Sequence, residues 1–377
     1  MRVAFFTETY YPTPDGVSHY LRDIKDALTA KGHDVKVFSL TGEPGEDVHI
    51  VPGFTFPFYR QYKVPINLIP FMLFRKAIKF RPDIIHIHSP FFMGSVGFLV
   101  GKKIGVPVVA SFHTDFSSMQ ESIRMPFKER LFRLSANYNR YLYAQCDEVI
   151  CPSPHATSIA TSHGIKEAKE IPLFVDTERF TPGEGERDNT ILFIGRLTQD
   201  KGVYHIIELA ERLKSSDYRF VIGGTGPEEE SLNKEVLSRD LGDKVSLLGY
   251  IKEKKKLELL RKAAVFIYPA SADTFGLSVL EALACGTPAV VPEKFPLHAY
   301  SDGESGLVPV DFDRIDDVLN TIEQMLSNRK NLDKRRKSAR DFAVTSFGIS
   351  EHSGALLDIY GKLIEEGKKE SGEEQIR

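Results

Sequence analysis

The sequence predicts an α/β protein of two doubly wound, Rossmann-like domains, and three observations carry that prediction. Short apolar runs rich in Val, Ile and Phe recur as far as residue 291, each followed by a longer stretch of helical character, which is how buried parallel strands with crossover helices read. The series is interrupted at 176–188, DTERFTPGEGERD, whose Pro, Gly and charge content marks a linker. A length of 377 residues also exceeds what one hydrophobic core usually serves, so two domains of about 150–200 residues are expected.

In order along the chain, strands are expected at 3–7, 34–40, 84–88, 106–113 and 148–152, then at 190–195, 219–223, 244–249, 264–269 and 287–291. After about residue 312 the strands stop, and helices are expected at 315–328, 332–345 and 351–366. The last of these clusters Leu356, Leu357, Ile359, Tyr360, Leu363 and Ile364 at helical spacing, so it should pack on a domain. The terminal GKKESGEEQIR lacks an apolar face and is expected to fray.

Composition narrows the function. With 42% hydrophobic residues, and 49 Lys plus Arg against 52 Asp plus Glu for a formal charge of −3, nothing global points to a nucleic-acid binder. Cys146, Cys151 and Cys285 form neither a disulfide framework nor a zinc pattern, so reduced thiols and a cytoplasmic setting are expected. The N-terminal apolar stretch meets Glu8 at once and offers no signal-peptide core. The run at 91–100 falls short of the ~20 residues a membrane span needs.

Ligands of doubly wound sheets bind beyond the carboxyl ends of the strands, and a cleft between two such domains is the default active site. Gly195-Arg196-Leu197 ends one expected strand and Lys201-Gly202 opens the next helix, placing two cations where a diphosphate would gain charge as it leaves. Gly223-Gly224-Thr225-Gly226-Pro227 follows the next strand, and Gly224 and Gly226 permit close backbone approach. Glu228, Glu229 and Glu230 already complement the dipole of the helix that follows, which argues against that terminus gripping phosphate. The densest signal runs from Tyr268 to Pro288. Asp273 lies in a loop, Phe275, Gly276 and Leu277 begin a helix whose amides can meet a phosphate, and Glu281 follows in its second turn. Two carboxylates spaced D-x7-E suit sugar hydroxyls. Asp311-Phe-Asp313 mimics a DxD metal motif but comes after all ten expected strands, and no metal site or cofactor is expected.

The ordered set GRL…KG, GxGP and the D-x7-E segment followed by GTPAV resembles the retaining glycosyltransferases of family 4. Pro12 to Val17, PDIIHIHSP, VVASFHTDF, PSPHAT and IP…VDTERF resemble that family's landmarks in the same order, so the likeness covers nearly the whole chain. The resemblance implies the GT-B fold, with residues 1–175 plus 347–377 forming the acceptor-side domain, 188–346 the nucleotide-sugar domain and 176–187 the linker. It assigns Arg196 and Lys201 to the donor diphosphate, Glu281 to the ribose hydroxyls, and Asp273, one methylene shorter than the family's usual Glu, to the donor sugar. It also places His113 close to that sugar and makes Gly16 the glycine at the donor and acceptor. Val17 stands where a second glycine is common, and Leu173-Phe174 where Asn-Gly is usual. The implied reaction transfers a hexose from a nucleotide sugar such as UDP-glucose or GDP-mannose, on one face, without a metal.

The acceptor is read from charge. Residues 1–180 carry 21 Lys plus Arg against 18 Asp plus Glu, or +3; subtraction from the totals leaves 28 against 34, or −6, for 181–377. The basic excess concentrates in two aromatic-rich stretches. One, from Phe54 to Arg81, includes Arg60, Lys63, Lys76 and Lys79; the other includes Arg124 and Lys128. Such stretches suit an anionic membrane interface, although 71–80 also reads as a core helix with snorkelling lysines. The HIHSP and FHTDF segments resemble the lipid-glycosylating branch, so a glycerolipid at the inner membrane face is the expected acceptor. A soluble sugar or sugar phosphate is the alternative, and a non-catalytic nucleotide-sugar-binding protein would be expected to have lost Arg196, Lys201 or Glu281.

Overall fold

The computed structural model describes residues 1–13, 16–55, 63–65, 71–113, 128–165, 167–185 and 187–374. The chain divides into two compact units, Met1–Leu173 with Ile349–Arg377, and Phe174–Gly348. Each is built on one parallel sheet.

In the first unit the sheet order is β3-β2-β1-β6-β7-β8-β9, comprising β1 (Arg2–Thr7), β2 (Asp34–Ser39), β3 (Val48–Ile50), β6 (Ile84–Ile87), β7 (Val108–Ser111), β8 (Glu148–Cys151) and β9 (Lys169–Glu170). A small antiparallel hairpin, β4 (Gly53–Thr55) with β5 (Lys63–Pro65), stands apart from it. The chain winds outward in both directions from β1, which pairs in parallel with β2 and β6. Ile84, Ile85, Val109 and Ala110 are fully buried, as strands covered on both faces require. Helix α1 (Gly16–Ala30), α2 (Phe71–Phe80), α3 (Phe92–Ile104), α4 (Lys128–Ala144) and α5 (Pro154–Ser162) follow in sequence.

In the second unit the order is β12-β11-β10-β13-β14-β15, all parallel, from β10 (Thr190–Ile194), β11 (Arg219–Gly223), β12 (Val245–Leu247), β13 (Val265–Ile267), β14 (Ala289–Pro292) and β15 (Leu307–Val310). The crossovers and flanks are α6 (Val203–Arg212), α7 (Glu229–Ser238), α8 (Glu253–Lys262), α9 (Leu277–Ala284), α10 (Ile315–Ser327) and α11 (Arg329–Ser346). Winding reverses between β10 and β13, which makes the carboxyl ends of those two strands the topological switch point.

Two expectations need correction. The segment expected as the linker is tied into the second unit at Thr177, Phe180, Thr181 and Arg187 by three arginines that donate to backbone carbonyls. Arg340 donates to Thr177 at 2.9 Å and Phe180 at 2.6 Å, Arg261 donates to Thr181 at 2.8 Å, and Arg187 itself donates to Ala263 at 2.9 Å and Cys285 at 2.6 Å. The terminal segment expected to fray is instead helical to Glu374, within α12 (Ile349–Glu374). Its Lys and Glu residues have high intrinsic helix propensity, and Lys362 pairs with Glu366 one turn on, at 3.7 Å. The apolar stripe of α12 packs on the first unit, with Leu356 and Tyr360 almost fully buried; each such side chain contributes about 1.5–3 kcal/mol.

Candidate active site

In the second unit the expected donor residues gather at the switch point. Lys201, only 6% exposed, points its Nζ at the Ala272 carbonyl (2.7 Å), at Oδ2 of Asp273 (3.0 Å) and at Oδ2 of Asp200 (3.5 Å). The Tyr268 hydroxyl donates to the same Oδ2 at 2.9 Å, and the Phe275 amide donates to Oδ1 at 3.0 Å. Burial alone would raise the Asp273 carboxyl, but Lys201, the Phe275 amide and the Tyr268 hydroxyl outweigh it and hold the group below the ordinary aspartate range. Tyr268 lies over Phe193 with centroids 5.7 Å apart, and the Lys201 ammonium sits 5.8 Å from the tyrosine ring, so the ion pair rests on an aromatic floor. Arg196 is half-buried at the end of β10, on the same edge.

Gly276 adopts φ 94° immediately before α9, and a Cβ there would lie 2.2 Å from the Phe295 ring. The first i→i−4 bond of α9 runs from Leu280 N to Gly276 O at 3.1 Å, so the amides of Gly276 and Leu277 lie outside the helical ladder at its positive end. Glu281, in the second turn, is paired with Lys256 of α8, and its side chain is 14% exposed. Gly224 and Gly226 allow the close backbone approach their motif suggested, and the backbone they approach is the loop after β10. A Cβ on Gly224 would stand 1.8 Å from the Gly195 carbonyl oxygen and one on Gly226 2.2 Å from that of Leu197. The close approach is between two backbone loops, sealed by Leu197 N to Thr225 O at 3.0 Å, and the Gly224 amide is bonded to Gly249 O at 2.8 Å. Asp311 accepts from the Asp313 amide at 3.1 Å and pairs with Arg314, a turn leading into α10. Among the described residues no group of three or more His, Cys, Asp or Glu is placed to hold a metal ion.

In the first unit Gly16 opens α1 and Leu173 is buried, as is Phe174, with which the second unit's chain begins. His113 follows β7 and lies in an unexpected aromatic and imidazole cluster. Its Nε2 is 3.1 Å from Nδ1 of His88, its ring meets Tyr20 edge-on at 5.2 Å, and the His86 ring lies tilted against His88 with centroids 3.9 Å apart. His86 bonds the Tyr360 hydroxyl at 2.5 Å and Ser111 Oγ at 2.8 Å. Burial first and His352 second push His113 down to about 3, so it is a neutral imidazole at physiological pH. Glu8, at the end of β1, accepts from the Met93 amide at 2.8 Å, and burial pushes its carboxyl up to about 8.

Sequence reasoning missed Asp200, Tyr268 and Lys256 as partners of the donor residues, and His88, Tyr20 and His352 as partners of His113. HIH was a usable signal, because residues two apart on a strand share a face. Of the basic residues expected to meet the acceptor, Lys76 and Lys79 are exposed on α2 and Lys63 is half-buried in β5. Arg60, Arg124 and the side chain of Lys128 lie outside the described residues. Phe74 and Phe80 of α2 are not offered outward: they pack on a core that includes Leu73 and Ala77.

A sequence model described as Glycosyltransferase Family 4 matches residues 14–179, and one described as Glycosyl transferases group 1 matches 174–342. The chain belongs to the family 4 glycosyltransferases. The enzyme is 26% identical over 315 residues to alpha-monoglucosyldiacylglycerol synthase of Streptococcus pneumoniae, covering 77% of this chain and 70% of that protein. It is 27% identical over 313 residues to a GDP-mannose-dependent alpha-mannosyltransferase of Mycobacterium tuberculosis, covering 78% of this chain and 79% of the other. Its fold matches sucrose-phosphate synthase from Thermosynechococcus elongatus with a TM-score of 0.77 at 18% identity, over 96% of this chain and 99% of that one. The architecture is GT-B, and the enzyme is a hexosyltransferase.

Proposed function

We propose that this enzyme transfers a hexose, with retention, from an α-linked nucleotide-diphosphate sugar of the UDP-glucose or GDP-mannose type to a hydroxyl of a membrane glycerolipid. Arg196, Lys201 and the first-turn amides of α9 meet the diphosphate, and Glu281 accepts from the ribose hydroxyls. Asp273, held ionised, takes a hydroxyl of the sugar. The acceptor oxygen bonds to the anomeric carbon on the face from which the diphosphate departs, through an oxocarbenium-like state, and the departing oxygen takes the acceptor's proton. Charge builds on the diphosphate as its bond to the anomeric carbon breaks, so cations fixed beside it bind the transition state more tightly than the ground state. That work falls to Arg196 and Lys201, so the chemistry calls for no metal or resident cofactor. Two donors of Lys201 are hydrogen-bonded and its ion pair with Asp200, at 3.5 Å, is the longest of its contacts, so that is the one a phosphate oxygen would replace. His113, neutral, supplies a hydrogen bond rather than a charge.

The observation that carries the lipid acceptor is the outward side of α2, α3 and α4. Met72 (76% exposed), Leu99, Leu134 (58%) and Tyr141 stand among exposed Lys76, Lys79, Lys102, Lys103, Arg130, Arg133 and Arg140. The three helices are neighbours, since α2 packs on α3 and Ser95 Oγ bonds the Tyr138 hydroxyl of α4 at 2.5 Å. Apolar tips ringed by cations suit an anionic bilayer surface on the cytoplasmic side. The diacylglycerol in the name of the pneumococcal relative favours the same reading. Among the described residues no helix is long and apolar enough to cross a membrane, so contact would be peripheral. Flotation with phosphatidylglycerol and phosphatidylcholine vesicles tests it. Each basic residue near such a surface contributes about 1 kcal/mol, so Lys76→Glu with Lys79→Glu should weaken binding to the anionic vesicles by roughly tenfold or more. Absence of binding at every salt concentration would remove the lipid surface and favour a soluble acceptor.

A further inference from the structure

The helix that returns to the first unit carries two members of the cluster around His113. His352 and Tyr360 lie eight residues apart on one face of α12, and both are buried. Tyr360 reaches β6 through His86, which continues to Ser111, two residues before His113. His352 sits three residues after the chain re-enters the first unit at Ile349, and its Nδ1 lies 2.6 Å from the carbonyl of Pro172, one residue before the chain leaves it. A carbonyl can only accept, so Nδ1 of His352 carries the hydrogen. In a neutral ring Nε2 is then an acceptor, and the Tyr20 hydroxyl, 2.9 Å away, must be its donor. Tyr20 is thereby fixed in rotation, with its hydroxyl directed at His352 (ring centroids 5.4 Å) and its ring edge-on to His113 at 5.2 Å.

We infer that His352 is a positioning residue for His113: through Tyr20 it locks the ring orientation of the sugar-side histidine to the two points where the chain crosses between units. The inference rests on the donor-side role of His113 proposed above. A glutamine could repeat both bonds, with its amide N–H toward Pro172 and its oxygen toward Tyr20, whereas a phenylalanine of similar volume could make neither.

The test compares His352→Phe, His352→Gln, Tyr20→Phe and His113→Ala in the full chain. Nucleotide diphosphate release is followed with whichever of UDP-glucose and GDP-mannose is turned over, with dioleoylglycerol in phosphatidylglycerol vesicles as acceptor probe. The imidazole nitrogens of ¹⁵N-histidine-labelled protein are recorded alongside. A misplaced reacting partner costs up to about a hundredfold, so His352→Phe should lower kcat roughly tenfold to a hundredfold with donor KM little changed. The His113 resonances should shift, and His352→Gln should recover both. Tyr20→Phe, which keeps the ring and loses only the tether, should reproduce the kcat loss should His352→Phe fail to fold. Normal kcat and unmoved His113 resonances in His352→Phe, or in Tyr20→Phe where that variant stands in, overturn the inference, while an inactive His113→Ala leaves the role of His113 standing. Near-normal turnover in His113→Ala removes that role itself.

Discussion

Replacing Lys201 by methionine keeps most of the side-chain volume and removes the charge, and the geometry sets two separate magnitudes. A charge-assisted hydrogen bond contributes about 1.5–3 kcal/mol, and one made to a diphosphate that gains charge as it leaves is strongest in the transition state. At about 1.4 kcal/mol per decade, kcat should fall roughly 10- to 150-fold from that contact alone. Misorientation of Asp273, which loses its 3.0 Å partner, should carry the total past a hundredfold. Lys201 and Asp273 are also a buried pair, so the fold does not escape. Leaving one member of a buried pair uncompensated costs about 3–5 kcal/mol, reduced here because the Tyr268 hydroxyl and the Phe275 amide still hold the carboxylate. Steady-state nucleotide release and thermal denaturation separate the two effects. Adding Asp273→Asn should recover much of the lost Tm and none of the turnover. Turnover within about threefold of the parent in Lys201→Met would refute the diphosphate assignment.

Acid and alkali should each weaken the first unit, by different groups. His113 and His352, pushed by burial to about 3 and about 4, are neutral when folded and protonated when unfolded below 6.5; each removes about 1.4 kcal/mol of stability per pH unit as pH falls below that value. His86 and His88 are lowered too, and act with the same sign. Glu8, pushed up to about 8 by burial, acts with the opposite sign, its stabilisation present below about 4.5 and lost as pH rises through 8. Denaturant midpoints should therefore peak near pH 6.5, and His352→Gln should flatten the acid limb. Glu281→Gln should raise donor KM roughly tenfold or more with kcat nearly held, because a ribose contact is made equally in ground and transition states; a fall in kcat alone would place Glu281 elsewhere.

All ten strands expected from apolar runs are present, and what escaped lies at sheet edges or in the separate β4–β5 hairpin. Lys169–Glu170 is two exposed residues, and Val48–Ile50 is three half-buried ones, too short to show a pattern. Leu307–Val310 contains Pro309, which argues against a central strand and is harmless on the outermost one, where no further strand needs its N–H. The donor site was legible because its members follow strand ends, where topology alone concentrates ligands. Lys256 was not, because it faces Glu281 only through the packing of α8 against α9. The histidine cluster was half legible: His86 and His88 announce a shared face, but His352 reaches Tyr20 across a whole intervening unit of sequence. Of the aromatics between 54 and 81, Phe74 and Phe80 pack on the core, whereas Phe54 is exposed, as are Met72, Leu99 and Leu134.

The product formed from UDP-glucose or GDP-mannose with dioleoylglycerol in phosphatidylglycerol vesicles, its anomeric configuration read by proton NMR, tests the central claim most directly. An α-linked glycolipid, formed faster on anionic than on zwitterionic vesicles, is the predicted result. A β-linked product would contradict retention, and transfer only to soluble sugars or sugar phosphates would contradict the lipid acceptor.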